Sequence, residues 1–184
     1  MANLKVPVGP ADHTLGEEQA PVTLVEYGDY ECPHCGHAHP IVQAVRKHFG
    51  TQLRFVFRNF PLTEIHPHAE MAAEAAEFAG ANGRFWAMHD AIFENQSRLG
   101  TSFLVELAGK LGLSSGALSA ALENHQYLSR IKSDFMGGVR SGVNGTPTFF
   151  LNGERYEGSW EFEDLVEAID ERLSLTKTGR RRAS

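Results

Sequence analysis

Two cysteines separated by two residues are the side chains of this sequence best suited to covalent chemistry. Cys32 and Cys35 lie in the stretch YGDYECPHCGHAHP, with Pro33 and His34 between them, and the chain has two cysteines in all. Two thiols cannot make a disulfide framework, so the C-x-x-C spacing indicates either redox chemistry or a metal site. The nucleophile of disulfide exchange is a thiolate, so the ionisation of these two side chains is the property to explain.

A zinc site is the main alternative to a redox dithiol. Four side chains of the types that zinc prefers lie close together in the sequence: Cys32, Cys35, His37 and His39. A structural zinc site usually draws its second ligand pair from a distant segment, whereas these four would share one helix. On that helix His37 points away from the other three, so the spacing favours a dithiol and we expect no bound metal or cofactor.

A strand and a helix must position the dithiol. VTLVEYG, residues 22–28, is a short β-branched run flanked by turn residues, and it predicts a buried strand. The motif then opens a helix that ends at Gly50 and contains Pro40, which we expect to kink it. LRFVFRN, residues 53–59, alternates as a second strand, so the chain begins with a β-α-β unit.

The rest of the chain divides into a helical block and a terminal strand–helix unit. Apolar residues recur at helical spacing after the second strand, and Ser114 is placed to cap one of these helices. TPTFFLNGERYEGS then predicts two short strands around Asn152-Gly153, a strong hairpin signal. A final amphipathic helix follows, and a short edge strand is also expected at residues 4–8.

Composition describes a globular chain with a modest negative charge. The chain has 184 residues, enough for one well-buried domain, with 42% hydrophobic residues and a net charge of -6. That charge argues against a general nucleic-acid surface. No apolar run reaches the roughly 18 residues of a membrane span, and the first residues lack the apolar core of a secretory signal. The sequence as it stands predicts a cytoplasmic protein, or a periplasmic or other extracytoplasmic one whose signal or membrane anchor was removed.

The order of elements and several local motifs together resemble the DsbA-type thiol–disulfide oxidoreductases. These proteins have a thioredoxin-like fold with inserted helices, and the dipeptide between Cys32 and Cys35 is the form seen in them. Glu26 lies where the family carries a buried acid, and Thr146-Pro147 in GTPTFF matches its cis-proline loop. The sequence is most similar to a compact bacterial subgroup that occurs as free proteins and as domains joined to membrane transporters.

The resemblance implies an α/β, thioredoxin-like fold interrupted by an inserted helical domain. On this basis residues 1–59 and 145–175 form the thioredoxin-like domain, and residues 60–144 form the inserted helical domain. Residues 176–184 include the basic run RRRAS and are predicted to be a flexible basic tail.

The resemblance also implies roles for the residues of the motif. Cys32 forms a mixed disulfide with the substrate, and Cys35 resolves it. Pro33 suits the first turn of a helix whose N-terminus stabilises the thiolate, and His34 adds to that stabilisation. Glu26, buried behind the dithiol, accepts or returns the proton of Cys35.

A second segment, the loop around Pro147, is the predicted substrate-binding element. A cis Pro147 would expose the backbone of Thr146 for strand-like pairing with a substrate segment. The same proline would crowd metal ions away from the sulfurs.

The implied function is exchange of the Cys32–Cys35 dithiol with protein thiols and disulfides, most simply as a DsbA-like oxidase. The partners are then protein substrates and an unidentified redox-recycling partner, and a monomer is expected. A thioredoxin-like cytoplasmic disulfide reductase is the alternative, because cytoplasmic thiols are kept reduced. A kappa-type glutathione transferase, a redox-inactive holdase and the zinc module are more distant alternatives.

Overall fold

Five strands and seven helices make up the part of the chain that this computed structural model describes. It covers residues 3–182, with side chains for residues 3–175. The strands are β1 (His13–Leu15), β2 (Val22–Gly28), β3 (Leu53–Asn59), β4 (Thr148–Leu151) and β5 (Glu154–Tyr156). The helices are α1 (Pro33–Phe49), α2 (Ala69–Ala81), α3 (Phe85–Glu94), α4 (Thr101–Lys110), α5 (Ser115–Glu123), α6 (Leu128–Arg140) and α7 (Phe162–Arg182).

The strands form one mixed sheet in the order β1-β3-β2-β4-β5. β2 and β3 are parallel, with Val22 opposite Leu53 and Gly28 opposite Asn59, and α1 is the crossover between them. β4 pairs antiparallel with β2, and β5 pairs antiparallel with β4. The predicted α/β class is therefore confirmed, and the cysteine motif follows the carboxyl end of the central strand.

The two faces of β2 enter two different apolar clusters. Leu24 belongs to the larger core, which also contains the inward faces of α1, α3 and α7. Val25 and Tyr27 belong to a smaller cluster on the opposite face. Alternation along a strand explains the division, since successive side chains point to opposite faces of the sheet. The strand that leads to the dithiol is thus buried on both sides.

Helix α6 covers the smaller cluster at close range. A Cβ atom added at Gly138 would lie 2.7 Å from the Phe60 ring and 3.0 Å from the Tyr27 ring. Real Cβ contacts are longer than this, so glycine allows the α6 backbone to pack directly on these two rings.

The edge strand expected at residues 4–8 is not formed. The carbonyls of Val6 and Pro7 instead accept hydrogen bonds from the guanidinium of Arg58. The strand at the β3 edge of the sheet is β1, which pairs antiparallel with β3. A side chain from β3 therefore occupies the acceptors that a strand at residues 4–8 would have needed.

The C-terminal segment predicted as a flexible basic tail is helical over most of its length. Helix α7 continues to Arg182, and residues 183–184 lie outside the described residues.

Among the described residues, no helix combines the length and the apolar character that crossing a bilayer requires.

Candidate active site

The dithiol lies at the N-terminus of α1. Cys32 is the N-cap residue, with extended backbone angles (φ -69°, ψ 121°), and Pro33 is the first residue of the helix. Both cysteines are free thiols. Cys35 is fully buried, and Cys32 is 4% exposed. Since the first N–H groups of a helix have no partner within it, they are available to a sulfur at the N-cap.

The surroundings of Cys32 favour its thiolate. They lower the pKa of the thiol from 9.0 to about 5, and the largest cause is a hydrogen bond from the Cys35 thiol. Burial opposes this shift, whereas Thr146 and the backbone N–H groups of Cys35 and His34 add to it. The stabilising groups are thus neighbours in the helix and one residue from the facing loop.

The surroundings of Cys35 act in the opposite direction. Burial raises its pKa well above 9.0, and the hydrogen bond to Cys32 and the charges of Glu26 and Cys32 raise it further. The backbone N–H of Asp29 donates to the Cys35 sulfur at 3.4 Å and partly offsets this effect. Two adjacent thiols therefore differ strongly in their readiness to ionise.

Glu26 is a buried acid beneath the dithiol. It is 3% exposed and lies in the sheet between Phe57 of β3 and Phe149 of β4. Burial, followed by the charge of the Cys32 thiolate, raises its pKa from 4.5 to about 8. Within the described residues no lysine or arginine forms an ion pair with it. The acid is therefore mostly protonated at neutral pH and able to exchange a proton.

The loop before β4 faces the dithiol. The Thr146–Pro147 peptide bond is cis, and the Cys32 thiol donates a hydrogen bond to the Thr146 carbonyl at 3.3 Å. In this neutral dithiol the buried Thr146 Oγ1 has no hydrogen-bond partner among the described residues. One residue from a segment 114 positions away thus presents two polar groups to the reactive sulfur.

The structure gathers the predicted site residues at this one place. Glu26, Cys35 and Thr146 each act on Cys32 or on one another, and Pro33 begins the helix between the cysteines. The side chain of His34 is exposed, and its backbone N–H is the group that acts on the Cys32 sulfur.

Two further residues hold the motif, and neither is among the site residues predicted from the sequence. The side-chain amide of Gln96 donates to the Cys32 carbonyl at 2.8 Å and to the Tyr30 carbonyl at 3.0 Å. Asp29 accepts from the backbone N–H of Cys32. Gln96 had no signal, because its contact spans 64 residues. Asp29 had one, since a carboxylate directly after a buried strand needs hydrogen-bond partners.

The four side chains of the zinc alternative are not gathered. His37 lies against Trp160, with its Nε2 3.3 Å from Glu161 Oε1. His39 turns into the core and stacks on Phe93. Within the described part of the chain, two groups of side chains are close enough to share a metal ion, and neither contains a cysteine: His39, His89 and Asp90, and Glu70, Glu74 and His125.

The sequence did not indicate how deeply His89 is buried. It is 3% exposed, and its Nδ1 lies 2.9 Å from the Tyr30 hydroxyl, with which it shares a hydrogen bond. Burial lowers its pKa well below 6.5. Its position on the apolar face of α3, between Phe85 and Ile92, explains the burial.

Known thiol–disulfide proteins share this architecture. A family model described as thioredoxin matches residues 9–171. The crystal structure of oxidised BdbD from Bacillus subtilis is 26% identical, with a TM-score of 0.80 over 88% of this chain and 92% of that one. A thioredoxin-like oxidoreductase from Silicibacter pomeroyi DSS-3 is 27% identical, with a TM-score of 0.79 over 90% of this chain and 94% of that one.

Curated relatives are similar in sequence but much longer. The Na(+)/H(+) antiporter NhaA 1 of Salinispora arenicola is 44% identical over 176 residues, which are 95% of this chain and 27% of that protein. The chain thus spans about a quarter of the length of such relatives. The family match covers both cysteines and the facing loop. We conclude that the chain belongs to the thioredoxin family, with the fold of the DsbA-type thiol–disulfide oxidoreductases.

Proposed function

We propose that this chain is a protein thiol–disulfide oxidoreductase that exchanges its Cys32–Cys35 pair with protein substrates and works as an oxidase. The observation that carries the proposal is the placement of the two thiols: Cys32 is the N-cap residue of α1, with its sulfur 3.3 Å from the Thr146 carbonyl, whereas Cys35 is fully buried. The pKa of Cys32 is lowered to about 5, whereas the pKa of Cys35 is raised well above 9.0. One sulfur is therefore a good nucleophile and leaving group, and the other is held protonated.

The proposed reaction begins with the Cys32–Cys35 disulfide. A substrate thiolate attacks Sγ of Cys32, and Cys35 leaves as a thiolate that takes a proton from Glu26. A second substrate thiolate then attacks the substrate sulfur of this mixed disulfide, and Cys32 leaves as a thiolate. The substrate loses two electrons and gains a disulfide bond. The protein gains the two electrons as a dithiol, which a disulfide of the recycling partner reoxidises.

The direction of electron flow follows from the stability of the Cys32 thiolate. Stabilising the thiolate stabilises the reduced protein, which makes its disulfide more oxidising. A pKa of about 5 lies between those of about 7 for thioredoxin and about 3.5 for DsbA. An oxidase also needs a compartment that keeps its pair oxidised, so we propose an extracytoplasmic setting. A cytoplasmic setting belongs with the reductase alternative.

The facing loop provides the proposed substrate contact. The Thr146 carbonyl lies 3.3 Å from the Cys32 sulfur, so a substrate segment bonded to that sulfur passes beside an available backbone acceptor. We propose that Thr146 and Pro147 pair with the substrate backbone there, as in strand addition. Transport is not proposed, because the antiporter name describes proteins of which this chain is about a quarter.

The reduction potential of the pair tests the direction. We expect equilibration with glutathione buffers to give a value nearer to about -120 mV than to about -270 mV, the potentials of DsbA and thioredoxin. Zinc content is measured on the same sample. A potential near that of thioredoxin would replace the oxidase by the reductase, and stoichiometric zinc bound through both sulfurs would remove the redox proposal.

Trapping experiments test the separate roles of the two sulfurs, attack by Cys32 and resolution by Cys35. We expect Cys35→Ala to accumulate mixed disulfides through Cys32, because the resolving thiol is missing. Cys32→Ala should lose turnover altogether and form no such adduct, which makes it the matched control. The substrate is an unfolded protein that contains a disulfide bond, which the Cys32 thiolate attacks with release of one substrate thiolate. Non-reducing electrophoresis detects the adduct in both variants. Normal steady-state exchange by Cys35→Ala would contradict the dithiol mechanism.

A further inference from the structure

Asp29 is a buried acid with four hydrogen-bond donors and no part in the exchange steps above. Its side chain is fully buried. Oδ1 accepts from the backbone N–H groups of Glu31 at 2.8 Å and Cys32 at 3.2 Å. Oδ2 accepts from the backbone N–H of Leu62 at 2.8 Å and from Nδ1 of His66 at 2.8 Å. A carboxylate offers about four lone-pair sites, so every acceptor position of Asp29 is used.

The two oxygens serve two different segments of the chain. Oδ1 holds the turn that leads into α1, where the N–H of Cys32 also reaches the Asp29 carbonyl at 3.2 Å. Oδ2 holds the segment between β3 and α2 through Leu62 and His66. Asp29 therefore joins the backbone of Cys32 to a segment more than 30 positions further along the chain.

Asp29 also reaches the second cysteine. Its backbone N–H donates to the Cys35 sulfur at 3.4 Å, while its side chain holds the backbone of Cys32. The position of the Cys32 sulfur over the N–H groups of His34 and Cys35 depends on the N-cap backbone angles of Cys32. Those angles belong to the turn that the Asp29 carboxylate closes.

The negative charge of Asp29, taken alone, would raise the pKa of Cys32, whereas its hold on the Cys32 backbone favours the thiolate. A negative carboxylate near a sulfur disfavours the thiolate, so an acid selected only for charge would be unfavourable here. Four donors surround this carboxylate and compensate its charge. The two possible roles thus predict opposite signs when the side chain is removed.

We propose that Asp29 is a positioning residue for the dithiol: its carboxylate fixes the Cys32 backbone against the 62–66 segment and so keeps the sulfur over the free N–H groups of α1. For its consequence in exchange the inference rests on the proposed function, whereas the ionisation of Cys32 can be measured independently of any substrate.

A neighbouring carboxylate supplies the matched control. Glu31 also joins the motif to a later segment through hydrogen bonds: its Oε1 lies 2.7 Å from Nδ1 of His68, and its Oε2 accepts from the His68 backbone N–H. Unlike that of Asp29, the Glu31 carboxylate accepts no hydrogen bond from the backbone N–H groups of residues 31–35. Glu31→Gln therefore removes a negative charge next to Cys32 while leaving the turn of Asp29 in place.

The experiment is a titration of Cys32 in the reduced protein, followed by the ultraviolet absorbance of its thiolate. We expect Asp29→Ala to raise the pKa of Cys32, lowering its acid dissociation constant about tenfold, which is one pKa unit. Asp29→Asn should give a smaller rise in this pKa. The amide oxygen can still accept the hydrogen bonds of the turn, whereas the NH₂ group cannot accept the hydrogen bond from the Leu62 N–H. Glu31→Gln should leave the pKa unchanged or lower it.

The sign of the change decides the matter. An unchanged or lowered pKa of Cys32 in a folded Asp29→Ala protein would overturn the proposal, because it would mark Asp29 as a charge or a purely structural group. Should Asp29→Ala not fold, His66→Ala removes one of the four donors, and a smaller rise is expected; no rise there overturns the proposal as well. Absence of disulfide exchange by the unaltered protein would instead refute the proposed function and leave the titration result standing.

Discussion

The group of His34 that acts on the reactive sulfur is its backbone N–H. The imidazole is exposed, while the N–H contributes to lowering the pKa of Cys32. The residue between the cysteines therefore acts first through a feature that most residue types share. A role for the imidazole, which the resemblance implied, stays a prediction.

Substitution of His34 can separate the two groups. His34→Pro removes both the N–H and the imidazole, whereas His34→Ala removes the imidazole alone. We expect His34→Pro to raise the pKa of Cys32 and to lower the reduction potential, with a clearly smaller change for His34→Ala. Equilibration with glutathione buffers measures the reduction potential of each variant, and the ultraviolet absorbance of the thiolate measures the pKa of Cys32. Equal shifts in the two variants would assign the effect to the imidazole.

Glu26 makes stability fall with increasing pH. Its pKa is about 8 in the folded protein and 4.5 by default, so its contribution is fully present below pH 4.5 and lost as pH rises through about 8. We expect oxidised Glu26→Gln to be more stable than the oxidised parent protein at pH 9, with the difference shrinking towards pH 4. Urea denaturation at several pH values measures this. A difference independent of pH would show that Glu26 titrates normally.

The residues of the site were predictable to different degrees. Cys32, Cys35 and Glu26 follow from the motif and from an acid on an apolar strand. Gln96 could not be selected, because its contacts to the motif span more than 60 positions. Asp29 had a local signal, but its hydrogen bonds to Leu62 and His66 form only in the folded chain. The motif was local, but the network that holds it was not.

At the scale of elements, close packing of α6 on the sheet is the feature most open to test. We expect Gly138→Ala to destabilise the fold by about 1–3 kcal/mol, since its Cβ would meet the rings of Phe60 and Tyr27. Gly116→Ala in α5 is the control, because open space surrounds that position and alanine favours a helix by up to about 1 kcal/mol. Chemical denaturation gives both values, and similar effects at both sites would refute the packing argument.

The elements that carry the dithiol were predicted closely. β2 and β3 occupy the predicted residues, because β2 is a short β-branched apolar run and β3 shows the alternation of a strand. Ser114 caps α5 as expected, with its hydroxyl accepting from the Ala117 N–H. The edge strand was wrong because one side chain, Arg58, competes for its carbonyls. Five helices lie between β3 and β4, and their division into a separate domain at 60–144 stays a proposal.

At the scale of the whole molecule, the redox state couples to stability through Cys32. Its pKa is lowered from 9.0 to about 5, so its contribution to the reduced protein is fully present above pH 9 and lost as pH falls through about 5. The disulfide form has no such group. We expect the free energy of unfolding of the reduced protein, minus that of the oxidised protein, to increase from pH 5 to pH 8. Denaturation of both forms tests this, and a constant or decreasing difference would contradict it.

The pH dependence of Cys32→Ala gives the control. That variant has neither the thiolate nor a disulfide form, so its free energy of unfolding should lack the rise that Cys32 contributes in the reduced parent protein between pH 5 and pH 8. Glu26 contributes to both redox states because burial is the first cause of its shift, and its effect therefore largely cancels in the difference.

Thr146 offers one group for each protonation state of Cys32. Its carbonyl accepts the S–H of the thiol, and its hydroxyl, which has no other partner among the described residues, is suited to donate to the thiolate. A thiolate has no hydrogen to give, so ionisation releases the carbonyl as the sulfur becomes reactive. A backbone N–H of the recycling partner, whose disulfide the Cys32 thiolate attacks, can then donate to that carbonyl. Loss of a single proton would thus make Cys32 nucleophilic and, at the same time, free the Thr146 carbonyl to accept a hydrogen bond from that partner.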